Sequence, residues 1–162
     1  MIGKYIRSVN LDYRLRLIEE GEAYPFNLLL LADETMDAIN KYIGDSDVFI
    51  LEEGEAQLAV FCLYPIDAST LELKNIAVCE SLQGQGIGGL LIQEVVAISK
   101  KRGYSRLIVG TADCGIDQIR FYERNGFKKY GVKENFFLDN YAVPIIENGI
   151  QLKDMVMLEQ IL

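Results

Sequence analysis

The chain has 162 residues, half of them apolar and a quarter charged, which suits one globular domain spanning 1–162 around one sizeable core. Its formal net charge is −8 with no visible basic patch, so nucleic acid is not an expected partner. No apolar run approaches the ~18 residues of a membrane span, and the complete lack of histidine removes Ser-His-Asp chemistry and every histidine-based metal site.

The start, Met1 to Tyr5, lacks the apolar stretch of a signal peptide, and the expectation is a cytoplasmic protein. Ile2 to Val9 is a candidate first strand, and the stretch up to Pro25 shows no clear period. Asp33 and Glu34 suit a helix start, with Met36, Ile39, Tyr42 and Ile43 at helical spacing until Gly44. Asp47–Glu53, Ala56–Tyr64 and Thr70–Val78 read as strands of an antiparallel meander, joined at Gly54-Glu55 and broken at 65–69.

The texture then changes. Ile87, Leu91, Val95 and Ile98 lie on one helical face, Lys100, Lys101 and Arg102 suit its last turn, and Gly103 stops it. Arg106 to Gly110 reads as a short buried strand, so Thr70 to Gly110 is a strand-loop-helix-strand crossover with two parallel strands. A second helix is expected over Ile116 to Asn125. Gly126 ends it in the left-handed region, and Phe127 folds back on Phe121 and Tyr122. A strand near Lys128 to Val132, a turn at Glu147-Asn148-Gly149 and a last strand over Leu152 to Leu158 complete the chain. The expected class is α+β (mixed α/β): a mostly antiparallel central sheet with one parallel βαβ crossover, flanked by helices.

Gly84, Gly86, Gly88 and Gly89 stand before or within the first turn of the first long helix, where glycine sacrifices backbone entropy. A tight turn needs only one. Unhindered N–H groups at a helix N-terminus make an anion site. The P-loop pattern fails, because Leu90 and Leu91 follow Gly89. Gly84, Gly86 and Gly89 satisfy G-x-G-x-x-G, but a dinucleotide loop follows its strand directly and opens the fold. Here five residues separate Val78 from Gly84, and several strands come first.

Gln83-Gly84-Gln85-Gly86-Ile87-Gly88 matches the pattern Q/R-x-x-G-x-G/A. Asn75-Ile76-Ala77-Val78 precedes it, and Phe121-Tyr122-Glu123-Arg124-Asn125-Gly126-Phe127 follows as F-Y-x-x-x-G-F. With these segments in this order, the chain resembles the GNAT superfamily of N-acetyltransferases, and 136–154 resembles a bacterial subgroup of it. The resemblance implies that the pyrophosphate of acetyl-CoA sits on backbone N–H groups from Gln83 through Gly84, Gln85, Gly86, Ile87 and Gly88 to Gly89. It implies that the pantetheine arm lies where two parallel strands splay apart, 72–78 and 106–111, against the backbone of Ile76, Ala77 and Val78. The N–H of Val78 would then polarise the thioester carbonyl.

An amine attacks a thioester only when neutral, and the departing thiolate benefits from an acid. Several GNAT enzymes place a base glutamate where Glu72 stands, eleven residues before Gln83. Strand alternation sets Glu72 with Lys74 and Ile76; the plainer alternative is an exposed glutamate paired with Lys74. Tyr122 occupies the family's acid position, with core packing of the ring as its alternative. Gly115 stands where many members carry an asparagine for the pantetheine arm; Asp113, Cys114 or backbone groups are possible substitutes.

The remaining candidates are weaker. Cys62, Cys79 and Cys114 match no zinc or redox spacing and read as reduced thiols. As a nucleophile Cys114 lacks a histidine to activate it. Asp113, Asp117 and Asp139 suit either a substrate amine or local caps, and Phe136-Phe137 either an acceptor pocket or the core. No acidic cluster has metal spacing, so no metal is expected. The expected function is transfer of acetyl from acetyl-CoA to a primary amine, on a small molecule or a protein, by direct attack in a ternary complex. The alternative is a non-catalytic acyl-CoA sensor with the same fold. Homodimers are common in the family, and the last strand is a candidate for such pairing.

Overall fold

The computed structural model describes residues 4–8 and 11–162. In chain order it forms β1 (Lys4–Ser8), β2 (Leu11–Leu17), α1 (Phe26–Leu29), α2 (Met36–Asn40), β3 (Asp47–Glu53), β4 (Ala56–Pro65) and β5 (Thr70–Val78). Then come α3 (Ile87–Lys101), β6 (Arg106–Ala112), α4 (Ile116–Arg124), β7 (Lys128–Lys133) and α5 (Phe136–Asn140). The chain ends with β8 (Ile146–Glu147), β9 (Ile150–Gln151) and β10 (Met155–Ile161). The expected first strand matches β1 in its described part; Ile2, Gly3 and Val9 lie outside the described residues. Residue contacts divide the chain into two compact units, one reaching Tyr64 and resuming over Leu73–Ile92, the other comprising Pro65–Glu72 and Gln93–Leu162.

In the first unit the strands neighbour one another in the order β1-β2-β3-β4-β5. The pairs β1–β2, β2–β3 and β3–β4 are antiparallel, as a meander requires. Phe49 and Phe61 face each other across β3 and β4 and stack at 4.8 Å, a cross-strand aromatic pair of the stabilising kind. Leu28 and Leu29 of α1, with Ile39, Tyr42 and Ile43, form a core cluster with Val48, Val60, Cys62 and Ala77. The helix expected from Asp33 starts later. Thr35 is its N-cap, its Oγ1 accepting from the Ala38 amide at 3.1 Å, and a 3-10 turn at Ile43–Asp45 replaces its expected end.

An ion cluster ties β2 to β3. Arg16 donates from Nη1 and Nη2 to both carboxylate oxygens of Glu22, at 2.7 and 2.8 Å, and from Nε to Glu52 at 3.0 Å. The guanidinium holds the Glu22 carboxyl down at about 2 from an ordinary 4.5. A depressed folded pKa contributes stability that is fully present above pH 4.5 and is lost as pH falls toward 2. The wild type is therefore expected to lose about 2 kcal/mol more unfolding free energy than Glu22→Gln between those limits. Urea unfolding of both proteins at pH 5 and pH 2.5 reads the difference, and parallel losses refute it.

In the second unit the carbonyl of Ser69, just before β5, accepts from the amides of Ser105 and Arg106, which enters β6 beside the start of β5. The order continues β6-β10-β7, with β10 antiparallel to both neighbours. Paired on both edges, β10 has no free ladder with which to meet a second copy. The last strand is shifted from the expected Leu152–Leu158. Leu152 is buried and its amide bonds the Ile145 carbonyl, closing a small hairpin of β8 and β9. Asn148 and Gly149 turn that hairpin with φ of 49° and 76°, the paired positive values of a tight turn. α4 ends as expected: the Phe127 amide reaches the Tyr122 carbonyl at 3.0 Å and the Gly126 amide reaches Glu123 at 3.2 Å, the two bonds of a Schellman ending. The class is α+β, a mixed sheet with one parallel pair, flanked by helices.

Candidate active site

The glycine loop is built on the end of β5. A 3-10 turn over Glu80–Leu82 fills the gap after Val78. Gln83 closes it: its amide bonds the Glu80 carbonyl at 3.3 Å, and its side-chain Nε2 bonds the Val78 carbonyl at 2.9 Å. Gln85 Nε2 reaches the Ser81 carbonyl at 3.4 Å. Both glutamine side chains thus shape the loop. Gly84 and Gly86 follow with φ of 76° and 83°, values that L side chains adopt only under strain.

The first α3 bond into this loop runs from the Leu90 amide to the Gly86 carbonyl at 3.2 Å. Among the described residues no acceptor meets the amides from Gly84 to Gly89. A Cβ placed on Gly84 or Gly86 meets nothing within 4 Å, so the space over the loop is open. Six unused amides at the start of a 15-residue helix fit a diphosphate by hydrogen bonding and by the helix dipole. Ile87, buried beneath them, anchors the helix start.

Strand β5 carries Ile76, Ala77 and Val78 directly into this loop, with Ala77 buried and its neighbours half-buried. Asn75 is 4 % exposed. Its Nδ2 donates to the Leu29 carbonyl at 3.0 Å and to the Tyr42 hydroxyl at 3.1 Å. That hydroxyl donates in turn to Asp33 Oδ2 at 3.2 Å. Burial pushes the Tyr42 phenol well above its ordinary pKa. The Lys74 ammonium lies 6.0 Å from the Tyr42 ring centre and 5.6 Å from that of Tyr64. Sequence reasoning passed over this cluster; an asparagine at a buried strand position was the available signal.

In the second unit Glu72 is 5 % exposed, not a solvated strand glutamate. Tyr122 is 6 % exposed on α4, with T-shaped contacts to Phe121 at 5.3 Å and Phe127 at 5.5 Å. Burial raises its phenol pKa, so the hydroxyl keeps its proton through neutral pH. Ile76 to Gly89 therefore belong to one unit, and Glu72 and Tyr122 to the other.

Residues 15–127 match the model of the acetyltransferase (GNAT) family. The chain belongs to that family. It is 36% identical over 145 residues to the N-acetyltransferase YvbK of Bacillus subtilis (strain 168), covering 90% of this chain and 94% of that one. Among solved structures it is similar to a GNAT family acetyltransferase from Elizabethkingia anophelis with acetyl-CoA bound, with 37% identity, a TM-score of 0.89, and coverage of 93% and 98%. A Bacillus subtilis acetyltransferase in complex with CoA matches with 35% identity, a TM-score of 0.83, and coverage of 93% and 99%. As a GNAT protein the chain is an acyl-CoA-dependent acetyltransferase with acetyl-CoA as its cosubstrate.

The position of the frequent GNAT asparagine is tight. Gly115 precedes α4 without a side-chain cap, and a Cβ there meets the Ala112 carbonyl oxygen at 3.1 Å. Asp113, a possible substitute, is tied locally: its Oδ1 accepts from the Cys114 amide at 3.0 Å and its own amide bonds Asp154. Burial, with Asp113 and Glu147 nearby, raises the Cys114 thiol, against a nucleophile's needs. Phe137 is buried and stacks on Tyr141 at 5.7 Å. The GNAT model ends at Phe127, so α5 and the β8–β9 hairpin lie beyond it. Among the described residues no three His, Cys, Asp or Glu stand as a metal group, and no helix is long and apolar enough to cross a membrane.

Proposed function

We propose that this GNAT protein transfers acetyl from acetyl-CoA to a primary amine by direct attack in a ternary complex. The row of unused amides from Gly84 to Gly89 carries the reading, because it supplies donors that nothing among the described residues consumes. Acetyl-CoA supplies the activated thioester. The loop amides hold its diphosphate, and the backbone of Ile76, Ala77 and Val78 orients the pantetheine arm. The Val78 N–H steadies charge on the carbonyl oxygen. Glu72 accepts the proton of the attacking amine, directly or through water, and Tyr122 returns a proton to the departing sulfur. One proton is lost at nitrogen and one gained at sulfur, so the step balances.

Incubation of the purified protein with acetyl-CoA and a panel of primary amines should release free thiol. Calorimetry should show CoA binding, and lack of binding removes the proposal. Gly115 favours a second reading, a sensor that binds acyl-CoA without turnover; binding with no thiol release from any amine identifies it. For the base, Glu72→Gln is expected to lower turnover about 10- to 100-fold while CoA affinity stays within about twofold. An unaltered rate at pH 7 removes Glu72 from the reaction.

A further inference from the structure

The pairing of β7 with β10 slips once. Gly131 lies opposite Met157 and Lys129 opposite Leu158, so Tyr130 is the extra residue of a β-bulge. A bulge bends its strand and re-aims a side chain. Here it sends the Tyr130 ring across β10 to β6, where the Arg106 guanidinium carbon lies 4.6 Å from the ring centre. Arg106 is itself held from the strand between, its Nε donating to Glu159 Oε2 at 2.6 Å. Ile161 lies opposite Arg106 and Glu159 opposite Ile108, so strand alternation puts Arg106 and Glu159 on one face of the sheet. A ring that is 42 % exposed is thus fixed by a bulge, a cation and an ion pair. An ion pair this open contributes little to stability, so fixing the ring is its larger effect. Partial burial raises the Tyr130 phenol, Arg106 opposes the rise, and the charges of Glu72 and Glu159 add to it. The phenol therefore lies near Glu72 and keeps its proton through neutral pH. Tyr130, Arg106, Glu159 and Glu72 all belong to the second unit.

We propose that Tyr130 holds the attacking amine, its phenol oxygen accepting an N–H of the acceptor and keeping the nitrogen beside Glu72. The inference rests on the reading that Glu72 takes the amine proton. A phenol oxygen can accept such a bond and still donate its own proton. One N–H bound to Tyr130 limits how the nitrogen can turn, which leaves its other proton to the base. Because the ring is partly exposed, the acceptor reaches it from solvent with no element displaced. Arg106 and Glu159 are positioning residues in this arrangement: they touch the ring and each other, and act on the acceptor only through the hydroxyl they hold in place.

The test uses the best amine from the panel at saturating acetyl-CoA. Tyr130→Phe keeps the ring over Arg106 and removes only the oxygen. KM for the amine should rise about three- to tenfold, the range of one neutral hydrogen bond, while KM for acetyl-CoA stays within about twofold. Arg106→Met releases the ring and should raise the amine KM by a smaller factor. The double variant should match Tyr130→Phe alone, because the brace works through the hydroxyl that Tyr130→Phe has already removed. An unchanged amine KM in Tyr130→Phe overturns the inference. So does an equal rise in KM for acetyl-CoA, which marks general loosening, or a double variant in which the two effects multiply. Glu72→Gln, measured alongside, separates the two readings. If it is slow while Tyr130→Phe is unaltered, only this inference is lost. If it keeps the wild-type rate, the reading of Glu72 as the base is lost and this inference goes with it.

Discussion

Replacing Tyr122 with phenylalanine is expected to lower turnover at least about 100-fold while leaving the CoA Kd within about twofold. The substitution removes one oxygen and little else. The ring keeps its edge contacts with Phe121 and Phe127, and the Schellman bonds that end α4 are made by backbone. Stability should therefore fall by no more than about 1 kcal/mol. The chemistry is more sensitive. Burial holds the phenol protonated beyond its ordinary range, so the proposed acid stays in its protonated form at every pH up to and above ~10. Rate loss on the alkaline side belongs to other groups, and Tyr122→Phe should lower the whole pH–rate profile without moving its limbs. Thiol release under saturating acetyl-CoA, with CoA binding by calorimetry, makes the measurement. Turnover at the wild-type level eliminates Tyr122 as the acid.

The second large effect is expected at Gly86. Its φ of 83° lies in the region that asparagine and aspartate tolerate better than other side chains. A Cβ there meets no atom within 4 Å, so either residue fits the fold. Gly86→Asn and Gly86→Asp therefore share the strain and the shape and differ in charge. A carboxylate at an anion cradle opposes a diphosphate by like-charge repulsion. Gly86→Asp should weaken CoA at least about 100-fold, and Gly86→Asn far less, with matching melting temperatures in the free proteins. If the aspartate variant binds CoA as well as the asparagine variant, the loop does not hold the phosphates.

Several elements were legible because their signals are local. The boundaries of β3 and β5 agree with the expected strands, and the helix begins at Ile87, where glycines give way to apolar residues at helical spacing. Gly126-Phe127 announced the end of α4, and Asn148-Gly149 announced a hairpin, although the strands flanking that turn are short and the long last strand starts later. β2 escaped notice despite its alternation of Leu11, Tyr13, Leu15 and Leu17. Its intervening residues are Asp12, Arg14 and Arg16, and Arg16 is satisfied by Glu22 and by Glu52 on β3, which no local pattern reveals. α1 spans four residues, too few for a helical period to show.

The site divides along the same line. That a glycine-rich loop suited to an anion stands between Val78 and Leu90 follows from the chain's own chemistry, because positive φ and a helix start are demands on neighbouring residues. The structure refined it, assigning the two glutamine side chains to holding the loop and leaving the amides from Gly84 onward open. Burial is different, since it depends on what other segments bring. Glu72 read as readily as a surface residue, and its enclosure is a fact of packing. Asn75 finds Leu29 46 positions away and Tyr42 33 positions away. No spacing in the chain encodes that meeting; it exists only because α1 and the residues after α2 pack into one core with the strands.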